Sequence, residues 1–239
     1  VGGLGGGGSG ESELRLQQLR IREKRKSLQL QLEQVRRTRR QQQQQRARSG
    51  IPRVALVGYT NAGKTTLLAR LSRDPNVQPE NRLFATLDPT LRRVQMPSGT
   101  AMVLSDTVGF IEDLPVELVE AFRATLEEVV HADVLLHVMD ASAPNAADQR
   151  ESVMRVLSSL GLGSDRLQRT MIEVWNKVDL VPGWELPRAS NEDARSLPCL
   201  SASATTGSGM NVLLKTIDEV LRRNANSCGE ETKSKKTWD

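Results

Sequence analysis

The residues best suited to chemistry lie in one glycine-rich stretch, GYTNAGKT, at positions 58–65. It matches G-x-x-x-x-G-K-[ST], a loop whose backbone N–H groups cradle nucleotide phosphates. An apolar run before it predicts a buried strand and the residues after it predict a helix, which is the order this loop requires. We expect Lys64 to reach the β- and γ-phosphates and Thr65 to ligate Mg²⁺. The predicted binding residues are Gly58, Tyr59, Thr60, Asn61, Ala62, Gly63, Lys64, Thr65 and Thr66.

A second cluster, Asp106-Thr107-Val108-Gly109, follows another predicted strand. A carboxylate that ends a strand beside a phosphate loop can hold Mg²⁺ through water. Because glycine has no side chain, the Gly109 N–H can approach a γ-phosphate closely. The pattern therefore predicts a metal- and phosphate-binding turn, and the alternative is an aspartate that only ends a strand.

Two later stretches of the sequence predict a binding site for the guanine base. In Asn176-Lys177-Val178-Asp179, the carboxylate of Asp179 can accept hydrogen bonds from N1 and N2 of guanine, a donor pair that adenine lacks. We therefore expect GTP to be selected over ATP. A backbone N–H of Ser203-Ala204 can meet guanine O6, with Ser201-Ala202 as a competing register.

A sensing loop is predicted between the phosphate-loop helix and the second strand, within LFATLDPT at positions 83–90. Such a loop needs a threonine whose hydroxyl binds Mg²⁺ and whose N–H meets the γ-phosphate. Thr86 and Thr90 both satisfy this requirement from the residues alone.

Apolar runs alternate with amphipathic stretches beyond residue 51, which predicts a doubly wound α/β domain with a mostly parallel sheet. The two strands around Pro97-Ser98-Gly99 are close enough to form an antiparallel hairpin. Helices are expected to begin near Gly63, Pro115, Asn145 and Ser208. The predicted strands are Val54–Val57, Leu91–Gln95, Ala101–Ser105, Val134–Met139, Met171–Trp175 and Cys199–Leu200.

The chain divides into four predicted segments: a glycine-rich linker at 1–10, a basic helical arm at 11–50, a nucleotide-binding domain at 51–223, and a disordered tail at 224–239. The arm has no Pro, and it holds twelve Lys and Arg against four Asp and Glu, whereas the whole chain has a net charge of only +4. Heptad-like spacing through Leu14, Ile21 and Leu28 gives the arm an apolar stripe. The charge favours RNA phosphate as a partner, with a protein partner helix as the alternative.

Several classes are disfavoured by composition. No apolar run reaches transmembrane length, so we expect no membrane partner, and nothing favours DNA. Cys199 and Cys228 have neither metal nor disulfide spacing. His131 and His137 are expected to be structural, and Asp140 to cap a turn. Because the first residue is Val and no signal-like segment follows, we expect a fragment of a longer protein.

Four stretches together resemble the HflX family of translation-factor-related GTPases: Phe84-Ala-Thr-Leu-Asp88, Asp106-Thr-Val-Gly-Phe-Ile111, Leu114-Pro115 and Ala121-Phe-Arg-Ala-Thr-Leu126. The resemblance covers about 54–221 and the basic arm. It implies a GTPase that binds the large ribosomal subunit and acts in ribosome splitting or assembly. It departs from the family pattern at residues 5–12, where Arg and Pro of a glycine-rich family loop are replaced, and we expect this chain to be the helix and G-domain half of a family member.

The resemblance also implies residue roles. It places the Mg²⁺-binding threonine at Thr86, beside Thr65 and Asp106, and we predict Lys64, Thr86 and Gly109 as the catalytic residues. Asn61 stands where some related GTPases bind K⁺; the alternative is an asparagine that stabilises its own turn. The nucleotide would also contact Phe84, Ala85, Leu87 and Asp88. A mitochondrial matrix location is expected, with the cytoplasm as the alternative.

Phe110 stands where Ras-type enzymes carry the glutamine that orients the attacking water. Phenylalanine cannot hydrogen bond to water, so the isolated chain is predicted to hydrolyse GTP slowly and to be stimulated by large ribosomal subunits. Glu112 is the alternative group that could orient water.

Overall fold

The computed structural model describes residues 15, 17–31, 50–74, 90–110, 126, 128–187 and 197–234. The chain forms two compact units, residues 1–50 and residues 51–239. The first contributes a helix at 15 and 17–31 whose described side chains are exposed. The second carries the sheet described next, and each unit is described by itself.

A six-stranded sheet organises the larger unit, in the order β2-β3-β1-β4-β5-β6. Its members are β1 (Arg53–Val57), β2 (Thr90–Gln95), β3 (Ala101–Asp106), β4 (Val134–Asp140), β5 (Met171–Asn176) and β6 (Cys199–Ser201). Only β2 and β3 pair antiparallel, as a hairpin, and the other neighbours are parallel. All six strands and the antiparallel hairpin agree with the sequence prediction.

Four helices described over their whole length and one 3-10 turn accompany the sheet. They are α1 (Lys64–Ser72), α2 (Ala146–Ser159), α3 (Ser164–Thr170), α4 (Met210–Ser234) and the turn Val178–Leu180. The predicted start of the helix near Pro115 lies outside the described residues, and the described residues 126 and 128–130 are helical. The sequence analysis missed α3 because it has only seven residues and buries only Leu167, too little for a periodic pattern.

The carboxyl-terminal end of α4 corrects one prediction. We expected disorder from Asn224, but the helix continues to Ser234. The segment Asn224–Ser234 contains no proline and several good helix formers, so nothing in it forces the helix to stop.

The core lies on both faces of the sheet, as a doubly wound fold requires. Along β1, alternate side chains enter different clusters: Val54 and Leu56 pack with residues of α1 and α4, whereas Ala55 and Val57 pack with residues of α2 and α3. Parallel strands covered on both faces are apolar throughout, which explains their continuous hydrophobic runs. Their carboxyl ends meet at one edge, and the polar stretches of the sequence analysis follow those ends.

None of the described helices combines the length and apolar character needed to cross a bilayer.

Candidate functional site

The loop between β1 and α1 is shaped by two glycines. Gly58 has φ 152° and a Cβ there would lie 2.2 Å from the Val138 carbonyl oxygen. Gly63 has φ 93° and a Cβ there would lie 2.3 Å from Nδ2 of Asn176. Both distances are far below van der Waals contact, so the loop can follow this path only without side chains at these positions. The tight path turns the loop N–H groups around the amino end of α1, where anions bind.

Lys64 opens α1 with its ammonium folded back into this loop. Its Nζ donates hydrogen bonds to the Gly58 oxygen at 3.1 Å and the Tyr59 oxygen at 2.9 Å. The residue is only 6% exposed, and this burial lowers the pKa of the ammonium to about 8, although Asp106 acts in the opposite direction. The ammonium group of Lys64 is therefore held inside the loop by two backbone oxygens.

Thr65 and Asp106 bring two oxygen ligands together. Thr65 Oγ1 donates to Oδ2 of Asp106 at 2.6 Å, and Asp106 is fully buried at the end of β3. The neighbouring Thr107 hydroxyl donates to the Leu56 oxygen at 2.6 Å and so fixes the turn after β3 against β1. One hydroxyl and one carboxylate at a phosphate loop are hard oxygen donors, which is the set that Mg²⁺ accepts together with phosphates and water.

The turn after β3 is paired directly to the phosphate loop. Thr60 N–H donates to the Phe110 oxygen at 2.8 Å, and Phe110 N–H donates to the Gly58 oxygen at 3.1 Å. A Cβ on Gly109 would lie 2.9 Å from Thr60 Cα and 3.0 Å from Lys64 Nζ, so Gly109 is needed for this close approach. The backbone of Gly109 therefore lies beside Lys64, while Val108 is buried.

Asn176 connects the phosphate loop to the loop after β6. Its Nδ2 donates to the Ala62 oxygen at 2.9 Å and its Oδ1 accepts from the Ala204 N–H at 3.0 Å. The side chain is 1% exposed, so both bonds are protected from water. The sequence analysis predicts that Asn176 contacts the nucleotide, and the structure adds that its side chain joins the loop after β1 to the loop after β6.

Lys177 and Asp179 form the following turn. Lys177 has a left-handed backbone with φ 63°, and its Nζ lies 2.6 Å from Oδ2 of Asp140. Asp140 also accepts from the Ser142 N–H and hydroxyl, so the predicted turn cap is confirmed, but its ion pair with Lys177 was missed. Asp179 lies in the 3-10 turn with an exposed side chain that is accessible to a ligand.

The loop after β6 is rigidly built. The buried Ser203 accepts a bond from the Thr206 N–H through its hydroxyl, and its carbonyl accepts from the Gly207 N–H. Arg70 of α1, which the sequence analysis missed, donates to the carbonyls of Ala204 and Thr205. It carries no local signal, since its partners lie more than 130 residues away.

Part of the predicted site falls outside the described residues, namely Phe84, Ala85, Thr86, Leu87, Asp88 and Glu112. The other candidate threonine, Thr90, begins β2 and is paired in register with Asp106. Within the described residues, no group of three His, Cys, Asp or Glu side chains is placed to hold a metal ion.

A family model described as 50S ribosome-binding GTPase matches residues 53–177, from β1 to the turn after β5. The chain belongs to that GTPase family. The family match ends before Asp179 and the Ser203–Ala204 loop, so those assignments rest on the residues and their geometry.

Curated relatives agree with this membership of the 50S ribosome-binding GTPase family. A GTPase HflX of Caldanaerobacter subterraneus is 45% identical over 174 residues, covering 73% of this chain and 38% of that protein. A chloroplastic GTP-binding protein of Arabidopsis thaliana is 56% identical over 126 residues, covering 53% of this chain and 20% of that protein. The resemblance to HflX GTPases is confirmed, and the chain spans between about a fifth and two fifths of the relatives' length.

Solved structures agree on the fold. A GTP-binding protein from Sulfolobus solfataricus in complex with GDP matches with a TM-score of 0.58 at 22% identity, over 90% of this chain and 68% of that one. Aquifex aeolicus Era bound to GDP and AlF4⁻ matches with a TM-score of 0.54 at 22% identity, over 70% and 56%. The predicted fold of a P-loop GTPase is confirmed.

Proposed function

We propose that this chain binds GTP with Mg²⁺, hydrolyses it to GDP and phosphate, and couples the bound nucleotide to association with the large ribosomal subunit. The observation that carries the nucleotide assignment is the Asn176 side chain, which joins the phosphate loop at Ala62 to the loop at Ala204. It supports a single site with a phosphate end and a base end, and Asp179 supplies the guanine selectivity at the base end.

At the phosphate end, each residue has a distinct task. Lys64 neutralises the β- and γ-phosphates, and Gly109 N–H meets the γ-phosphate. Thr65 ligates Mg²⁺ directly, Asp106 through water, and Thr86 completes the set. When bound, Mg²⁺ neutralises charge that develops on the phosphates. The short distance between Thr65 Oγ1 and Asp106 Oδ2, 2.6 Å, supports this pairing of ligands.

Asn61 is the proposed K⁺ ligand beside the phosphates. It is exposed at the loop with a left-handed φ of 59°. A cation there would supply positive charge in the way an arginine finger does in other GTPases. Equal hydrolysis rates in K⁺ and Na⁺ buffers would show that Asn61 only stabilises its own turn.

The ribosomal partner is supported by the family description and by the arm. In the described part of the arm, six Lys and Arg accompany one Glu, all exposed. Phosphate contacts from such a helix give RNA affinity without sequence selectivity. We propose rRNA of the large subunit as the contact for residues 15–48, with ribosome splitting, recycling or assembly as the outcome.

A protein partner is the second candidate, in which a slow GTPase switch recruits a helix through the arm. It is favoured by apolar side chains that are more than half exposed on the described arm helix: Leu19, Ile21, Leu28 and Leu30. Such a contact would be apolar and therefore weakly sensitive to salt.

The location we propose is an organelle of a eukaryotic cell. The mitochondrial matrix follows from the sequence analysis, and the chloroplastic name of the Arabidopsis relative supports an organelle more generally. Fractionation of cells expressing the full-length protein distinguishes mitochondrion, chloroplast and cytoplasm.

Cosedimentation with isolated ribosomal subunits tests the proposed function. We expect the chain to pellet with large subunits in a non-hydrolysable GTP analogue and to stay in the supernatant with GDP. Small subunits are the matched control. Equal recovery with both subunits, or with neither in any nucleotide state, would contradict the ribosomal assignment while leaving GTP binding to be measured separately.

A further inference from the structure

In the loop after β6, the backbone N–H of Thr205 donates no hydrogen bond to the described residues. Its paired N–H groups are Ala202 to the Trp175 oxygen, Ser203 to the Ser208 oxygen, Ala204 to Asn176 Oδ1, Thr206 to Ser203 Oγ, and Gly207 to the Ser203 oxygen. Among the described residues, the Thr205 N–H has no acceptor. The Ser208 N–H donates to the Thr206 hydroxyl, so within residues 202–208 Thr205 N–H is the one donor available to a ligand.

Arg70 fixes the direction of that N–H. Its Nε donates to the Ala204 oxygen at 3.1 Å and its Nη2 donates to the Thr205 oxygen at 2.5 Å. The Ala204 oxygen and the Thr205 N–H belong to one peptide unit, and in a trans peptide they point in opposite directions. The guanidinium on the carbonyl side therefore holds the N–H toward the other side.

Gly207 makes room for this contact. A Cβ at Gly207 would lie 3.1 Å from Nη2 of Arg70, which is closer than nine in ten Cβ contacts. The backbone there also has φ 89°, a conformation that side chains rarely adopt. The absence of a side chain at Gly207 therefore leaves space for the guanidinium of Arg70.

We propose that Arg70 is a positioning residue for base recognition: it orients the Ala204–Thr205 peptide so that Thr205 N–H donates to the carbonyl at position 6 of guanine. This inference rests on the proposed function. Asn176 holds Ala204 beside the turn that carries Asp179, so the two edges of a guanine meet an N–H and a carboxylate. Adenine has an amino group at position 6, which would place a donor against a donor.

The charge of Arg70 strengthens the contact as well as orienting it. A hydrogen bond from a charged donor is about twice as strong as a neutral one. A bond accepted by one end of a peptide unit polarises the other end, so the Thr205 N–H becomes a better donor. Arg70 belongs to α1, the helix that begins with Lys64 and Thr65. Its hydrogen bonds therefore connect the loop after β6 to the helix that follows the phosphate loop.

The test compares GDP with 6-thioguanosine diphosphate on the whole chain. The thio analogue keeps the N1–H and 2-amino groups that face Asp179 and replaces the carbonyl oxygen at position 6 by sulfur, a weaker acceptor. For Arg70→Ala we expect affinity for GDP to fall about tenfold, with a much smaller fall for the thio analogue. Arg70→Lys should recover part of the loss, since one ammonium cannot reach both carbonyls in the fork of a guanidinium.

Two controls separate positioning from general damage. Inosine diphosphate keeps the position 6 carbonyl and lacks the 2-amino group, so its affinity should fall by the same factor as that of GDP. Arg93→Ala removes an exposed arginine from the same groove and should change neither ratio. Equal losses for GDP and the thio analogue in Arg70→Ala would overturn the inference. A wild-type chain that binds ADP as well as GDP would instead overturn the proposed function.

Discussion

Phe110 explains at the scale of one residue why the isolated GTPase should be slow. Its side chain is 2% exposed and belongs to the core cluster with Val57, Leu126 and Val129. A side chain buried there cannot orient an attacking water, and its backbone is paired with Thr60 and Gly58. We therefore predict that the group that orients the water comes from a bound cation, from the backbone of a switch loop, or from a partner.

Substitution of Phe110 should affect stability more than the basal rate. The sequence alone predicts an unchanged slow rate for Phe110→Ala, and burial adds a cavity cost of about 3–5 kcal/mol for that variant. Phe110→Leu, closer in volume, should cost less than about 1.5 kcal/mol and keep the basal rate. Urea unfolding and single-turnover hydrolysis measure the two effects. Fast hydrolysis without ribosomes, abolished by Glu112→Gln, would contradict this view.

Lys64 should make nucleotide binding depend on pH. Its pKa is about 8 in the nucleotide-free chain because of burial, and a bound phosphate favours the charged form and raises it. GDP should therefore bind with proton uptake near pH 8, and its affinity should fall as the pH rises above 8. Calorimetry in two buffers of different ionisation enthalpy measures the uptake. Proton release, or affinity that rises from pH 8 to 9, would contradict the assignment.

At the scale of the secondary-structure elements, the neighbouring strands β4 and β5 hold a neutral histidine in the core. His137 of β4 is paired in register with Glu173 of β5, but its Nδ1 lies 3.9 Å from Oε1 of Glu173, too far for a hydrogen bond. Arg150 of α2 takes that oxygen at 2.7 Å. Burial, followed by the charges of Arg150 and Lys64, lowers the pKa of His137 to about 3.

This histidine should cost stability in acid. Between about pH 6.5 and 3 the unfolded chain binds a proton at His137 that the folded chain does not, so stability is lost as the pH falls. The slope should reach about 1.4 kcal/mol per pH unit for this one group. In His137→Leu that part of the slope should disappear, whereas His131→Leu, at an exposed position, should keep it. Urea titrations from pH 7 to 4 that superimpose for the wild type and His137→Leu would contradict the assignment.

At the scale of the whole molecule, the two units differ in net charge. The described arm helix is basic and exposed, whereas the larger unit holds the sheet and the nucleotide site. If the arm contacts rRNA as proposed, electrostatic attraction would supply its affinity, and the nucleotide state of the larger unit would decide when the contact forms.

Salt should distinguish the two proposed partners. If six to ten Lys and Arg contact phosphates, affinity for large subunits should fall about 10³–10⁵-fold between 50 and 200 mM salt. A variant with Arg22, Lys24, Arg25 and Lys26 changed to Gln keeps helix propensity and should show a shallower slope, with unchanged GDP affinity. Binding that is insensitive to salt in both proteins would favour a protein partner held by Ile21 and Leu28.

The sequence by itself determined the strands and the chemistry of their ends. Buried parallel strands must be apolar and phosphate loops must carry glycines, so β1, Gly58 and Gly63 were readable without coordinates. Lys64 and Thr65 were predicted from the spacing of the same loop, and Asp106 was predicted from a short strand-end motif that follows a phosphate loop and a hairpin. Each of these signals depends on residues within a few positions of each other.

Only the tertiary structure decided how the site is held together. Asn176 reaches Ala62, Arg70 reaches Ala204, and each pair is separated by more than 100 residues. No local pattern records such contacts, because they arise where the carboxyl ends of different strands meet. The same holds for Phe110, since its type excludes a catalytic glutamine but only packing shows that the side chain faces the core. Residues that are neighbours in the sequence indicate the local chemistry, whereas the position of one loop against another depends on how the whole sheet assembles.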